Sequence, residues 1–346
     1  VANGYNSASG KAVLFLLDLE DGSIVRKLDT AEAGDNGLSS PIPVDVDGDR
    51  VTDLVYAGDL KGHLWKFDLR SDDPDNWKIA FGTAANPLPL FTACDGTCDG
   101  SNSQPITARP EVGPNDPGVT GSGGYVVYFG TGRYFAVGDN SSSGPSQSFY
   151  GIYDLDDGEP TSGISGREAL QRQEVVAELT QSFGEVVEDV RITTNNPVAP
   201  PQRGWYLDLP LAGERQVSTP ILRKGSIIFT TLIPDSALCA FGGDSFVMEL
   251  QALTGSRYDE APFDLNLDNV FDDSDNAVFD GERVAVSGRR SSAGIIKTPV
   301  VAEASAFEVI LGGGSGSGDG ETPIDRTRRR PGDATPRGRL SWRQMQ

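Results

Sequence analysis

With 346 residues the chain is long enough for one large all-β domain or two ordinary ones, each with a substantial core. Its 50 acidic against 29 basic residues give a formal charge of -21, which repels nucleic acid and anionic membrane surfaces and favours divalent cations or cationic partners. The 42 Gly and 22 Pro among short runs of Val, Ile, Leu, Phe and Tyr point to short strands with frequent reversals and exclude an architecture of long helices.

The chain opens at Val1 without a Met or a signal-peptide layout, so it is expected to be a processed or excised piece. The first apolar run ending in an acid is Val13 to Asp18, and the unit recurs at Leu64 to Asp68, Phe149 to Asp154, Trp205 to Asp208 and Phe246 to Glu249. Second strands are expected at Thr52 to Ala57, Gly124 to Gly130, Ser226 to Leu232 and Phe307 to Gly312. The rhythm predicts a modified β-propeller of six or seven blades with loop insertions, spanning residues 1–311. A pair of β-sandwiches supplies similar strands but leaves the recurring apolar-acid-turn unit unexplained.

One window, Arg167 to Val186, has Ala169, Leu170, Val175, Val176 and Leu179 loosely placed for a helix, with a loop insertion as the alternative. Cys94 and Cys98 lie in a polar loop. A small-loop disulfide fits an oxidising compartment; two free thiols or half of a zinc site are the alternatives, and zinc lacks ligands because only His63 and Cys239 remain. Cys239 reads as a buried thiol or as the partner of a segment outside the chain. Residues 312–346 form a Gly- and Arg-rich flexible tail, basic through Arg326, Arg328, Arg329, Arg330, Arg337, Arg339 and Arg343. Its glycine run is followed by Asp319, Glu321 and Pro323 instead of a Lys-Ser/Thr pair opening a helix, which argues against a phosphate loop.

The chemistry-bearing motif is Asp45-Val46-Asp47-Gly48-Asp49-Arg50-Val51-Thr52-Asp53. Its carboxylates stand at positions 1, 3, 5 and 9 of a calcium-loop order, with the Val51 carbonyl at position 7. Calcium takes about six to eight oxygens, which four acids, one carbonyl and water can supply. Without a cation the four acids repel one another, so a solvated acidic turn is the weaker reading. Tyr56 stands where a helix-loop-helix calcium site carries Glu, so the loop is expected within a β-hairpin. Arg50 occupies a position that favours glycine at positive φ and so weakens the motif. A second run places Asp264, Asn266, Asp268, Val270 and Asp272 at the same spacing, with Asn269 at position 6. It is the weaker candidate, because Asp273, Asp275 and Asp280 also make it look like a plain acidic loop.

Several segments together resemble one family: Asn3 to Ser7, the Asp45 loop running into Tyr56 to Leu69, and Phe129-Gly130-Thr131-Gly132-Arg133-Tyr134-Phe135. Gly204 to Pro210, Phe229 to Pro234 and Leu340 to Arg343 add to it, and the resemblance covers nearly the whole chain. The chain is similar to the C-terminal domain of PilY-type type IV pilus biogenesis and tip-adhesin proteins. The resemblance implies a modified β-propeller and bound Ca2+ held by Asp45, Asp47, Asp49, the Val51 carbonyl and Asp53. It further implies a part in pilus assembly and in the balance of extension and retraction, with surface attachment, twitching motility, minor pilins as partners and a pilus-associated place outside the cell. The larger N-terminal part of such proteins, often with a von Willebrand A-like domain, is not in this sequence.

The competing classes fare worse on the residues. A quinoprotein calls for adjacent cysteines and tryptophan docking motifs in most blades, but Trp65, Trp77, Trp205 and Trp342 are the only tryptophans. A Ser-His-Asp triad depends on His63, which reads as a turn or blade-edge residue, and no Gly-x-Ser-x-Gly elbow occurs. The expectation is therefore no enzyme. A carboxylate-pair glycosidase and a calcium-dependent lectin or matrix-binding propeller are the alternatives, since 50 acids always offer pairs.

Overall fold

Short apolar runs broken by Gly, Asp and Pro fold into strands of two to nine residues, and the only α-helix among the described residues is the single turn Pro117–Thr120. The computed structural model of the chain describes residues 1–98, 100–121, 123–142, 144–157, 163–164, 166–236, 242–304, 306–316 and 324–331.

Four antiparallel blades follow one another. The first is built on Ile42–Val44, Leu54–Gly58, His63–Asp68 and Lys78–Ile79. The second runs Glu111–Pro114, Tyr125–Gly130, Ser148–Asp154 and Gly204–Asp208, with Gln171–Gln173 added in parallel. The third takes Ile221–Arg223, Ser226–Thr230, Phe246–Gln251 and Gly288–Arg290, and the fourth Val300–Glu303, Glu308–Gly313 and Ile324–Arg329. A hairpin, Val13–Leu17 with Ile24–Asp29, precedes them. Each gap between neighbours is filled by its own apolar cluster. Leu14 and Leu28 of the hairpin meet Trp65 and Phe67; Leu54 and Tyr56 meet Val127 and Tyr150; Tyr128 and Trp205 meet Phe229 and Met248; Ile228 and Val247 meet Ile310. A sheet buried on both faces loses its polar-apolar alternation, which is why Leu54–Gly58 and Ser148–Asp154 are buried throughout.

The propeller class holds, and the expected second strands are present as Leu54–Gly58, Tyr125–Gly130, Ser226–Thr230 and Glu308–Gly313. The blade number differs: the described residues make four blades, not six or seven. The apolar-acid unit overcounts because Phe149 and Trp205, read as separate repeats, belong to adjacent strands of one blade, with Phe149 opposite Leu207. The helical window at Arg167 to Val186 is also corrected. Only Arg167–Ala169 turns, as a 3-10 helix, and Val175–Phe183 pairs with Val186–Thr193 in a hairpin that widens the third blade through Gly288–Arg290. Its burial alternates residue by residue, the period of a strand with one covered face.

The boundary at 312 is corrected as well. Gly312 and Gly313 continue a strand, and Ile324–Arg329 pairs along its whole length with Glu308–Gly313. What holds this segment is charge. Arg329, 1% exposed, donates to Glu249 through Nε (3.0 Å) and to Ser226 Oγ (3.0 Å) in the third blade, and to Glu308 in the fourth. Arg223 (2.7 Å) and Lys224 (2.8 Å) also donate to Glu308. Burial pushes the Glu308 carboxyl up, but these cations outweigh it and hold the group down at about 2. Residues 332–346, including Leu340 to Arg343, lie outside the described residues, as does Cys239. Cys94 and Cys98 form the expected disulfide, with Cα atoms 5.4 Å apart.

Candidate metal centre

The Asp45 loop joins Ile42–Val44 to Leu54–Gly58, with Val44 opposite Leu54, so it is the turn of a hairpin on the first blade. Each carboxylate folds back on the backbone of its own loop. Asp45 accepts from Gly48 N at 2.7 Å and from Arg50 N at 2.8 Å, Asp47 from Asp49 N at 3.1 Å, and Asp49 from Val51 N at 2.7 Å. The ring of Asx turns is possible because Gly48 and Arg50 take φ of 82° and 77°. Arg50 therefore sits in the left-handed region at a cost of about 1 kcal/mol.

One carboxylate oxygen from each of Asp45, Asp47 and Asp49 lies within 4.8 Å of the other two. Asp53 is not in that group; its Oδ2 accepts from Val46 N at 2.6 Å and closes the neck of the loop. Val51 is exposed at the loop surface. The donors that converge are oxygens only, the set suited to a hard cation such as calcium. Among the described residues no ion pair reaches Asp45, Asp47 or Asp49.

The Asp264 loop repeats the same turn. Asp264 accepts from Asn269 N at 3.1 Å, Asn266 from Asp268 N at 3.0 Å, and Asp268 from Val270 N at 2.7 Å, with Leu267 and Asn269 at φ of 65° and 66°. The acid that closes the neck is different. Asp272 faces away and accepts from Ser274 N at 2.8 Å, capping the short turn Asp273–Asp275. Buried Asp275 takes the inward place, accepting from Leu265 N at 2.7 Å and Asn266 N at 3.2 Å. Asp264 is itself buried, and Arg328 Nη1 reaches its Oδ2 at 3.1 Å and the Leu267 carbonyl at 3.0 Å. Asp264 Oδ1 has no hydrogen-bond partner. A guanidinium thus meets the second loop at its buried Asp264, whereas no protein cation reaches the three converging carboxylates of the first among the described residues.

Residues 1–184 match the sequence model of a family described as the PilY1 beta-propeller domain. The chain belongs to the PilY1 propeller family. A type IV pilus biogenesis factor PilY1 homolog of Xylella fastidiosa is 40% identical over 272 residues, covering 73% of this chain and 17% of that protein. The type IV pilus biogenesis factor PilY1 of Pseudomonas aeruginosa PAO1 is 34% identical over 319 residues, covering 83% of this chain and 26% of its own length. The chain thus spans about a quarter or less of these curated relatives. A crystal structure of the Pseudomonas aeruginosa PilY1 C-terminal domain superposes with a TM-score of 0.79 at 30% identity, over 96% of this chain and 68% of that one.

Within this PilY1 propeller, His63 has a structural partner. Its Nδ1 meets Asp59 Oδ2 at 3.0 Å, and the same oxygen accepts from Trp65 Nε1 at 2.9 Å and Asn36 Nδ2 at 3.0 Å. Burial disfavours the imidazolium, yet the hydrogen bond and charge of Asp59 prevail and raise the His63 pKa. No described helix is long and apolar enough to cross a membrane.

Sequence reasoning missed two features. Arg328 was assigned to a flexible tail, and nothing local signals that it returns to Asp264. The second feature is legible in the sequence. A proline directly precedes the edge strand that opens each blade: Ser40-Pro41, Arg109-Pro110, Thr219-Pro220 and Thr298-Pro299. Counting these steps gives four blades. Proline lacks an N–H and so belongs at such an edge or strand start.

Proposed function

We propose that this chain is the calcium-responsive propeller of a type IV pilus assembly or tip protein, acting outside the cell alongside pilus components such as minor pilins. In this reading one Ca2+ is held by Asp45, Asp47 and Asp49, with the Val51 carbonyl, water and a rotated Asp53 completing the shell. The observation that carries it is the convergence of three carboxylates with no protein cation to neutralise them, in a chain of the PilY1 family. Binding tightens the hairpin between the first two strands of the first blade. Occupancy then reports ambient calcium to the pilus machinery and biases extension against retraction, and through it motility and surface adhesion. That role needs an affinity near the ambient calcium range, because tighter binding leaves the site always filled.

The Asp264 loop is a second, weaker calcium site in this reading, since the ion must compete with Arg328 for Asp264. Its loop ligands are Asp264, Asn266, Asp268 and the Val270 carbonyl; the ninth position, Asp272, is engaged with Ser274.

Calorimetric titration of calcium-free protein tests the main site. The expected result is a saturable heat that Asp49→Ala abolishes. Equal heats from the two proteins overturn the reading. In the native host, the same substitution in the full-length protein is expected to uncouple twitching from calcium.

A further inference from the structure

We propose that the cavity at the hub of the blades is a binding site for an acidic, apolar-bearing peptide segment of a partner protein. The site is separate from the Asp45 loop: Ser40 at the hub and Asp45 lie at opposite ends of the short strand Ile42–Val44. The cavity holds about 640 Å³ and is lined by the residue before each of the four blade-opening prolines, Ser40, Arg109, Thr219 and Thr298. The edge strands that follow converge, since Glu111–Pro114 lies beside both Ile42–Val44 and Ile221–Arg223. The third and fourth blades are tied at this ring by Thr219 N donating to Thr298 Oγ1 at 3.1 Å.

The charge of the lining is the reverse of the body's. The chain carries -21, yet the charged residues lining this cavity are Arg109 and Lys297, with no Asp or Glu among the described lining residues. An acidic segment is repelled by most of the surface and attracted here, which favours register and selectivity. The remaining lining includes Val217, Leu232 and Ile295, so the ligand presents apolar side chains as well. Asn and Gln are also absent from the described lining, leaving no bidentate acceptor of the kind a glycan's hydroxyl pairs need.

The rim is built to present an anchor. Phe135 stacks on Tyr5 with centroids 4.6 Å apart and planes 9° from parallel, and remains 48% exposed. Its loop is held rigidly: Asp139 accepts from Phe135 N at 3.0 Å, Ala136 N at 2.7 Å and Arg133 Nε at 3.0 Å. Buried Arg215 donates to the carbonyls of Arg133 at 2.8 Å and Ser141 at 2.9 Å. An exposed aromatic on a preorganised loop loses little entropy when covered, the property of a hot-spot anchor. Exposed Val137 at the same tip extends the apolar rim.

Fluorescence polarisation with a short labelled peptide alternating glutamate with leucine and phenylalanine tests the proposal, beside its lysine counterpart and an oligoglucuronate. The acidic peptide is expected to bind saturably, more weakly as salt rises. Lys297→Glu, Ser40→Glu and Phe135→Ser are expected each to weaken it by about tenfold or more. All three positions are exposed, and an unchanged thermal transition in each variant confirms folding. The peptide is expected to bind with calcium or with chelator, which separates this site from the metal reading. No saturable binding, equal binding of the lysine peptide, binding of the oligoglucuronate alone, or acidic-peptide binding indifferent to all three substitutions overturns it.

Discussion

The Asp45 and Asp264 loops fold by the same rule, but the fold brings a cation to only one of them among the described residues. In both, acids or amides at positions 1, 3 and 5 accept from backbone N–H groups two to five residues on, and positions 4 and 6 take positive φ. The same turn thus arises twice from the same local spacing of side-chain acceptors and positive-φ positions. The first loop leaves three carboxylate oxygens together at the surface with no protein cation. The second buries Asp264 and brings Arg328 to it from the C-terminal strand. A shared motif thus marks a shared backbone, while the charge that completes it depends on what the rest of the fold delivers.

The largest expected effect comes from removing that delivered cation. Arg328→Gln leaves Asp264 buried and unpaired, and a loss of about 3 kcal/mol in chelator is expected from urea unfolding. If the loops differ only in their cation, calcium restores part of the loss and calorimetry shows a second binding event. A stability loss that calcium does not touch means the second turn cannot hold an ion.

Next in size is the converse change in the first loop. At calcium a hundredfold above Kd the wild-type protein is expected to gain about 2.7 kcal/mol, read as a rise in Tm, and Asp47→Asn to lose most of that gain. With chelator Asp47→Asn is expected to be no less stable than the wild type, because the asparagine oxygen can still accept from Asp49 N and one charge of the repelling cluster is gone. A smaller effect follows from the turn itself. Arg50→Gly relieves the left-handed strain of a side chain at φ of 77°, and a gain of roughly 1 kcal/mol net of glycine's greater unfolded entropy is the upper bound. Tighter calcium binding with that gain sharpens the contrast with Asn269, whose side chain already tolerates the same conformation.

The smallest prediction asks whether the first blade titrates apart from its loop. The His63 pKa is raised above its ordinary 6.5 by Asp59, so its contribution is fully present below that value and is lost as pH rises through the raised pKa. A shallow fall in Tm across that window, absent in His63→Gln and unchanged by calcium, is the expected outcome. A calcium-dependent slope breaks the separation between blade and loop.

Local spacing made the acidic loops and most strands legible, because an Asx turn and a two-residue burial period are written in neighbouring residues. The long hairpin Val175–Phe183 with Val186–Thr193 was misread for the opposite reason. Val175, Ala177 and Leu179 alternate as a strand, but Val176 and the preceding Leu170 blur the period over a short window. The described residues make four blades where six or seven were expected, and one of these blades contributes two apolar-acid strands, a fact of pairing and not of composition.

The sequence by itself determined the fold class, the family resemblance and the position of both acidic turns, and it favoured the Cys94–Cys98 disulfide that the structure shows. Tertiary structure alone decided that Ile324–Arg329 is a strand whose Arg329 is buried between Glu249 and Glu308, and that Arg328 neutralises one loop and leaves the other open. It also gathered Ser40, Arg109, Thr219 and Thr298 around one cavity. The reason is common to all three. Opposite charges and converging edges act through space across long stretches of chain, and a residue's neighbours in sequence carry no record of which distant group the fold sets against it.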